Sequence, residues 1–262
     1  MTNGDLLSKK EGAVGWITFN RPERHNAISI EMWRDLPDIV TGFDNDPEVR
    51  VIVVSGAGGR AFIAGADISQ FERNRATPEA VARTTEIGNR GRECLGKAAK
   101  PTIAMIQGYC LGGGMAVALS CDLRIASDDA RFGVPAAKLG NAYGYAGAKA
   151  ICDRIGAAFG KELLFTGRQF DAQEALRMGL VNRVVPAGEL LATVQSYADD
   201  IAANAPLTVA AAKLAFNAAE RDASERDFAA LQAAVDRCAA SEDIKEGRRA
   251  FMEKRKPVFR GM

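Results

Sequence analysis

Short apolar segments alternate with helical segments along the first part of the chain, and this alternation restricts the possible folds. Strand-length apolar runs, typical of strands buried on both faces, occupy residues 51–54, 102–106 and 123–126. Thr77 and Pro78 have the features of a helix cap and a first helical position, and an apolar helix is predicted after the glycine-rich turn at 108–114. Because a strand comes first in each unit, the pattern predicts a mixed α/β core with parallel strand pairs.

The N-terminal part is predicted to open with a β-hairpin. Residues 6–19 contain two strand-like segments around the turn at Glu11 and Gly12. Ser29 is then a candidate cap for the next helix, and Pro37 is expected to kink this helix or to delay its start.

The C-terminal part is predicted to be helical, because strand signals stop beyond about residue 190. Ser241 is the expected start of the last helix, and the helix before it has an apolar face at Phe228, Leu231, Val235 and Cys238. We therefore expect an α/β core over residues 1–195 and a C-terminal helical region over residues 196–262. Since no Gly/Ser-rich linker separates them, the helices should pack on the core or on a neighbouring subunit.

Composition excludes several classes of partner. The 262 residues contain 34 Lys and Arg against 33 Asp and Glu, a formal net charge of +1, so we expect neither nucleic acid nor a membrane as a partner. No apolar run approaches the ~18 residues that span a bilayer. The first residues also lack the apolar core of a signal peptide, so the expected compartment is the cytoplasm. The five cysteines are odd in number and scattered, which predicts neither a disulfide framework nor a metal site.

Two segments rich in glycine and alanine are the strongest candidates for a functional site. Residues 61–68 place small side chains where a strand should become a loop, so a ligand can approach the backbone. Residues 108–114 follow a strand and open a helix, so free N–H groups and the positive end of the helix dipole would point at one spot. Either segment taken alone could also be only a tight turn that needs glycine.

Both segments, with their flanks, resemble the enoyl-CoA hydratase/isomerase superfamily, also called the crotonase superfamily. Further matches run through essentially the whole chain, at Asn20-Arg21-Pro22 with Asn26-Ala27, at Cys121-Asp122, and at residues 131–133, 175–181 and 251–257. The resemblance implies an α/β fold made as a spiral of ββα units, with a C-terminal helical trimerisation region. It also implies a homotrimer or a dimer of trimers.

The resemblance implies an acyl-CoA thioester as the substrate, with coenzyme A as part of that substrate and no tightly bound cofactor. The N–H groups of Ala66 and Gly113 would form an oxyanion hole for the thioester carbonyl. The coenzyme would be contacted by Glu23, Arg24, His25, Ala64, Asp67 and Ile68, and from a neighbouring subunit by Lys254. Lys254 could equally be a solvated charge. The other substrate-binding candidates are Tyr109, Leu111, Ala116, Pro135 and Ala136.

Two positions depart from the hydratases of this superfamily. Position 116 lies three residues after Gly113 on one helix face, and the hydratases carry a glutamate there, whereas this chain has Ala116. Their second glutamate follows a Phe-Gly-x-Pro turn, and here that position is Ala136. Hydration needs a base to activate water and an acid to protonate carbon, and two methyl groups supply neither. The resemblance implies a lyase, and the two alanines predict that its reaction is atypical.

Tyr143 suggests an alternative reaction, because it resembles the active-site tyrosine of the methylmalonyl-CoA decarboxylases. These relatives share the Glu-Lys-Arg-Lys-Pro ending at residues 253–257, but they have histidine where this chain has Ala66. Decarboxylation needs an oxyanion hole and a proton donor but no general base. Tyr143 could instead pack under the substrate with its hydroxyl bonded to backbone. A catalytically silent acyl-CoA-binding protein is the third possibility.

Overall fold

Two β-sheets carry the strands of the protein in the computed structural model, which describes residues 4–67 and 77–262. The strands are β1 Leu6–Glu11, β2 Val14–Phe19, β3 Val51–Gly56, β4 Ala61–Ile63, β5 Thr102–Ile106, β6 Tyr109–Leu111, β7 Leu123–Ser127, β8 Arg131–Gly133, β9 Phe170–Asp171 and β10 Arg183–Val185. The larger sheet has the order β1-β2-β3-β5-β7-β10, and the smaller has the order β4-β6-β8-β9.

The strand pairing confirms the predicted hairpin and the predicted parallel core. Strands β1 and β2 are antiparallel, with Leu6 opposite Phe19. From β2 onward, every neighbouring pair in the larger sheet is parallel. In the smaller sheet β4, β6 and β8 are parallel, and β9 is antiparallel to β8.

The helices of the described residues are α1 Ile30–Asn45, α2 Pro78–Lys97, α3 Gly113–Ser120, α4 Tyr145–Thr166, α5 Ala172–Arg177, α6 Leu190–Ala203, α7 Pro206–Ala219, α8 Phe228–Ala240 and α9 Glu242–Met252. Three predicted caps are confirmed. The side chains of Ser29, Thr77 and Ser241 accept hydrogen bonds from the N–H groups three residues later, at 3.3, 3.2 and 3.3 Å. None of these helices is long and apolar enough to cross a membrane.

From β3 to β8, consecutive strands alternate between the two sheets, which produces the predicted spiral of ββα units. Strand β3 lies in the larger sheet and β4 in the smaller, and α2 follows them in the chain. The units β5-β6-α3 and β7-β8-α4 repeat this order. Strands β4 and β6 are parallel neighbours, so the chain leaves both at the same end of the smaller sheet. The 61–67 segment and the start of α3 therefore become neighbours.

Two local predictions were wrong or incomplete. Helix α1 begins at Ile30, directly after its cap, so Pro37 does not delay its start but lies buried inside the helix. Residues 109–111 were predicted to belong to a turn, yet they form β6, with Tyr109 opposite Ala61 and Leu111 opposite Gly133. A strand of three residues is too short to give a periodic signal, and only its pairing with β4 and β8 defines it.

The central strands of the larger sheet are buried on both faces, as their continuous apolar runs predicted. On β3, Val51 and Val53 belong to an apolar cluster with α6, which covers one face through Leu190, Val194 and Ala198. Ile52 and Val54 face the main core, which is shared with the smaller sheet and with α1 to α5.

The C-terminal helices continue directly from the core. Helix α6 spans the boundary predicted at residue 195 and packs on β3, β5 and β7, so the division at that residue stays a prediction. Helix α7 is tied to the core by Lys213, whose Nζ lies 2.8 Å from Asp122 and donates to the carbonyls of Leu95 and Lys100.

Candidate active site

The two small-residue segments meet in the structure. Gly113 opens α3, and a Cβ placed on it would lie 3.4 Å from the carbonyl carbon and oxygen of Gly65 and 3.0 Å from Cγ2 of Ile28. Gly65 has a φ of +122°, a conformation open in practice to glycine alone. The close approach of the two backbones therefore depends on glycine at both positions.

The N–H group of Ala66 is available for a ligand. Ala66 forms a parallel bridge with Ile28, in which Ile28 N donates to Gly65 O and Asp67 N donates to Ile28 O, both at 2.9 Å. In a parallel bridge of this type, the peptide groups of the middle residue face away from its partner. Ala66 is exposed, and its N–H donates to no acceptor within residues 4–67 and 77–262.

The N–H group of Gly113 is available for a different reason. Gly113 is the first residue of α3, and the first N–H groups of a helix have no partner inside it. The Gly113 N–H also has no acceptor elsewhere in the described part of the chain. Gly112 N donates to Gly133 O at 2.9 Å, which fixes the loop before the helix onto β8. A free donor thus coincides with the positive end of the helix dipole.

Asn26 holds the neighbouring segment in place. Its side chain is completely buried, accepts from Arg21 N at 2.9 Å, and donates to Ala57 O at 2.9 Å and to Ala61 O at 2.7 Å. The amide therefore joins the segment at 21–28 to the segment at 57–61. Since Ile28 pairs with Ala66, this network also supports the loop that carries the first oxyanion donor.

An ion pair adds a second connection between these segments. Arg21 Nη2 lies 2.8 Å from Asp67 Oδ2, and Arg24 Nη1 lies 3.3 Å from the same oxygen. The Asp67 side chain is only 7% exposed, so the nearer pair is largely removed from water. Asp67 was predicted to flank the coenzyme, and in the structure its carboxylate binds these two arginines.

Several residues predicted to contact the coenzyme lie together. Glu23, Arg24 and His25 are exposed, on and directly after the short 3-10 helix Pro22–Arg24. The carbonyl of His25 accepts from Ala64 N at 3.0 Å, and its ring meets the ring of Tyr109 edge to face at 6.1 Å. These contacts bring the 23–25 segment, Ala64 and Tyr109 to one surface.

The remaining predicted residues are more dispersed. Leu111 ends β6 beside Gly133, and Pro135 is half-buried just after β8. Lys254 is exposed in the turn after α9, where a coenzyme contact would come from a neighbouring subunit. Ile68 lies outside the described residues.

Ala116 and Ala136 are the two positions where carboxylates were predicted to be missing. Ala116 is one turn after Gly113 on α3, and both alanines are half-buried against the main core. The carbonyl of Ala136 accepts from Leu139 N and Asn141 N, at 3.1 and 3.0 Å. The turn that these bonds form leads directly to Tyr143.

Tyr143 is half-buried against the main core and lies over the start of α4. A Cβ on Gly147 would be only 2.6 Å from the Tyr143 ring, so glycine is needed there. Its hydroxyl bonds to no acceptor in residues 4–67 and 77–262, and whether it contacts a substrate stays a prediction. Burial raises the pKa of the Tyr143 phenol above its usual value, and nearby Arg92 partly offsets this. The group is therefore protonated at neutral pH.

Arg92 is a residue of this region that the sequence pattern does not single out. It lies on α2, half-buried, with its guanidinium carbon 5.7 Å from the centroid of the Trp33 ring. Burial lowers its pKa, and the proximity of Tyr143 acts in the opposite direction. Helix α2 is polar and contains several arginines, so composition does not tell which one faces inward. The only available signal is the buried pair Gly88 and Gly91, which marks the packed face.

Comparison with known proteins gives consistent matches over the full chain. A sequence model described as enoyl-CoA hydratase/isomerase matches residues 9–262. The chain is 37% identical over 256 residues to the short-chain-enoyl-CoA hydratase of Clostridium acetobutylicum, covering 98% of this chain and 97% of that protein. It is 38% identical over 250 residues to the (E)-benzylidenesuccinyl-CoA hydratase of Thauera aromatica, covering 95% and 96%.

Solved structures give the same result for the fold. The crystal structure of an enoyl-CoA hydratase from Bacillus anthracis is similar with a TM-score of 0.90 and 32% identity, covering 98% of this chain and 100% of that one. The sequence and structure matches together confirm the resemblance and the fold class that the motifs predicted.

Proposed function

The chain belongs to the enoyl-CoA hydratase/isomerase family, and we propose that it is an enzyme that binds an acyl-CoA thioester and stabilises the enolate form of that thioester. The proposal rests on one observation above all: two loops in contact each present an N–H group, at Ala66 and Gly113, that no described acceptor uses. Coenzyme A would be part of the substrate, and no tightly bound cofactor is proposed.

The oxyanion hole suits thioester chemistry because negative charge develops on the carbonyl oxygen as the enolate forms. Two donors fixed by the folded backbone stabilise this charge without rearranging during the reaction. Removing one such donor typically costs roughly 3 to 4 kcal/mol of transition-state stabilisation. The side chains at positions 66 and 113 contribute little to this effect, whereas their backbone geometry determines it.

The absence of carboxylates at positions 116 and 136 argues for an atypical reaction. An ordinary hydratase of this family would use two glutamates there to hold and activate water, and Ala116 and Ala136 cannot transfer protons. The relatives act on acyl groups as different as short-chain enoyl and benzylidenesuccinyl, so membership of the family does not define the acyl group. A water held by Tyr143 and nearby backbone is one route to hydration or isomerisation.

Decarboxylation of a malonyl-type acyl-CoA is the second candidate, and Tyr143 favours it. The bond between the α-carbon and the carboxylate breaks, CO₂ leaves, and its bonding electrons form the enolate in the oxyanion hole. A protonated phenol beside the site could then supply the proton that the α-carbon needs. Ala66 argues against this reaction, because the decarboxylases that the chain resembles carry histidine at that position.

A catalytically silent acyl-CoA-binding protein is the third candidate, motivated by the same two alanines. In each case the coenzyme would be contacted by the cluster around Glu23 to His25, Ala64 and Tyr109, and by Lys254 of a neighbouring subunit. The homotrimer or dimer of trimers and the cytoplasmic location stay predictions from the resemblance and the sequence.

Crotonyl-CoA and methylmalonyl-CoA, assayed side by side, test these candidates. We expect the wild-type protein to hydrate crotonyl-CoA poorly, and the double variant Ala116→Glu/Ala136→Glu to gain hydration. Release of CO₂ from methylmalonyl-CoA that is lost in Tyr143→Phe would select the decarboxylase. Binding of thioesters without turnover would select the silent protein. Ready hydration of crotonyl-CoA by the wild type would contradict the importance of the missing carboxylates, and failure to bind any CoA thioester would contradict the proposed function.

A further inference from the structure

Arg92 has an unusual environment for a half-buried arginine. A guanidinium has five N–H donors and stays charged at neutral pH. Within residues 4–67 and 77–262, the hydrogen-bond acceptor of Arg92 is the side-chain oxygen of Asn89, one turn earlier on α2, and the Trp33 ring lies beside the cation. No described carboxylate forms an ion pair with it.

Two other arginines removed from water, Arg124 and Arg21, are satisfied by the protein itself. Arg124, which is 4% exposed, donates to the carbonyls of Leu180 and Cys121, both at 2.7 Å, and to that of Ala118. Arg21 pairs with Asp67. A charge taken partly out of water without such partners is destabilising, so Arg92 has binding capacity that the described chain does not use.

Two observations relate the unused N–H donors of Arg92 to the acyl side of the proposed site. Helix α2 packs against α3, the helix that carries Gly113 and Ala116. Arg92 and Tyr143 are close enough for each to affect the pKa of the other. The coenzyme-side cluster around His25 and Tyr109 is a separate group of residues.

The local charge also favours an anion. Glutamates at positions 116 and 136 would provide negative charge near the reacting carbons, and this chain has alanine at both. The carboxylate next to Arg92 in the chain, Glu93, is exposed and pairs with Lys97, so it leaves the positive charge of Arg92 available on the acyl side. At low dielectric, an opposite charge on the ligand would be attracted strongly.

We propose that Arg92 binds a carboxylate on the acyl group, so that the substrate is a dicarboxylic acyl-CoA. The inference rests on the proposed function, because it requires the thioester to occupy the oxyanion hole. The planar guanidinium matches a carboxylate with two parallel hydrogen bonds, which gives orientation as well as affinity. Arg92 is thus a specificity residue for the acyl chain, distinct from the groups that bind the coenzyme.

Matched pairs of acyl-CoA ligands test this proposal by calorimetry. Succinyl-CoA and butyryl-CoA differ by a terminal carboxylate in place of a methyl group, and methylmalonyl-CoA and isobutyryl-CoA differ in the same way at the α-carbon. We expect the carboxylate member of at least one pair to bind the wild-type protein about tenfold or more tightly, the range of a charged hydrogen bond. In Arg92→Gln this preference should disappear while the affinity for the uncharged member is retained.

Two further variants separate recognition from structure. Arg92→Lys keeps the charge without the planar fork and should retain part of the preference. Arg90→Gln changes an exposed arginine on the same helix and should leave the preference intact. Melting temperatures of all variants confirm that they are folded.

The outcomes distinguish this proposal from the proposed function. Equal affinity of the wild type for both members of each pair would overturn the role of Arg92 while leaving acyl-CoA binding intact. Equal weakening of both members by Arg92→Gln would mean that the residue only supports the fold, and would also overturn it. A wild-type protein that binds none of the three ligands butyryl-CoA, succinyl-CoA and free coenzyme A would overturn the proposed function itself.

Discussion

Gly113 has two roles in the proposed site, and both concern its backbone. It lets α3 begin against Gly65 and Ile28, where a Cβ would be crowded, and it presents an N–H that the helix does not use. The first position of a helix is also where proline is tolerated, because the N–H that proline lacks has no partner inside the helix. One substitution at position 113 can therefore remove the N–H donor, while another only fills the space beside Gly113.

We predict that Gly113→Pro lowers turnover by about 10²- to 10³-fold relative to Gly113→Ala, the usual effect of losing one oxyanion donor. Alanine adds the same crowding near Ile28 but keeps the N–H, so the ratio between the two variants isolates the hydrogen bond. The measurement is kcat for whichever thioester the wild type converts, with melting temperatures to establish folding. Equal kcat values for folded Pro and Ala variants would contradict the role of this N–H.

Tyr143 and Arg92 show why side-chain chemistry at this site depends on environment. Burial keeps the Tyr143 phenol protonated at neutral pH, which suits a proton donor but not a base. Burial also lowers the pKa of the Arg92 guanidinium, an effect that the proposed anionic ligand would offset. Neither property follows from the identity of the residue alone.

At the scale of elements, α3 is fixed at both ends. Its first turn lies against the 61–67 loop, and Gly112 N is bonded to Gly133 O. At the other end, Arg124 donates to the carbonyls of Cys121 and Ala118, which places a positive charge at the negative end of the helix dipole. A helix of eight residues has little stability of its own, so these contacts determine where its N-terminus points.

The segment after α9 is held by the carboxylate of Glu246, a residue of this helix. Glu246 accepts from Arg255 and from Val258 N at 3.0 Å, and it pairs with Arg249 one turn later. These interactions lower the pKa of Glu246 far below its usual value, with the Arg255 hydrogen bond as the largest cause. Because the pKa is lowered in the folded state, the resulting stabilisation is present above the unfolded value of 4.5 and is lost as the pH falls below it.

We predict that Glu246→Gln has a lower melting temperature than the wild type at pH 7, and that the gap narrows progressively as the pH falls below about 4.5. Glu93→Gln, which breaks an exposed pair with Lys97, should change the melting temperature little at any pH. Thermal unfolding from pH 7 to pH 3 at fixed protein concentration measures both. A gap that stays constant or widens toward low pH would contradict the assignment.

At the scale of the whole molecule, the C-terminal helices leave several large apolar side chains uncovered. Phe228, Val235, Phe251 and Met252 are 67%, 56%, 83% and 80% exposed. Such a concentration of exposed apolar side chains is typical of a surface that contacts another subunit. It agrees with the predicted trimer, which the single chain does not test.

We predict a mass in solution of three or six times the 27.9 kDa of the chain, measured by light scattering after size-exclusion chromatography. Phe251→Asp should weaken this association by placing a charge in the contact. Leu7→Asp, on the exposed side of β1, should not weaken it. A single species at 27.9 kDa, at the concentrations used for assays, would contradict the oligomer and the contact of Lys254 with a neighbour's coenzyme.

The elements with strong local signals could be predicted from the sequence. Residues 102–106 are apolar throughout and form β5, and Thr77 and Pro78 start α2 as their chemistry requires. Strand β6 could not be predicted, because three residues carry no period and their partners lie far away in the chain. Pro37 does not delay the start of α1, because packing of α1 on the core, which the local sequence does not show, outweighs the hydrogen bond that proline removes.

The sequence by itself determined the family, and it singled out the two small-residue segments of the candidate site and the alanines at positions 116 and 136, because residue types and their spacing record these directly. Only the tertiary structure decided that Gly65 and Gly113 touch, that Asp67 is bound by arginines, and that Arg92 lies near Tyr143. These are relations between segments distant in the chain, set by how strands pair and helices pack, and no local pattern encodes them.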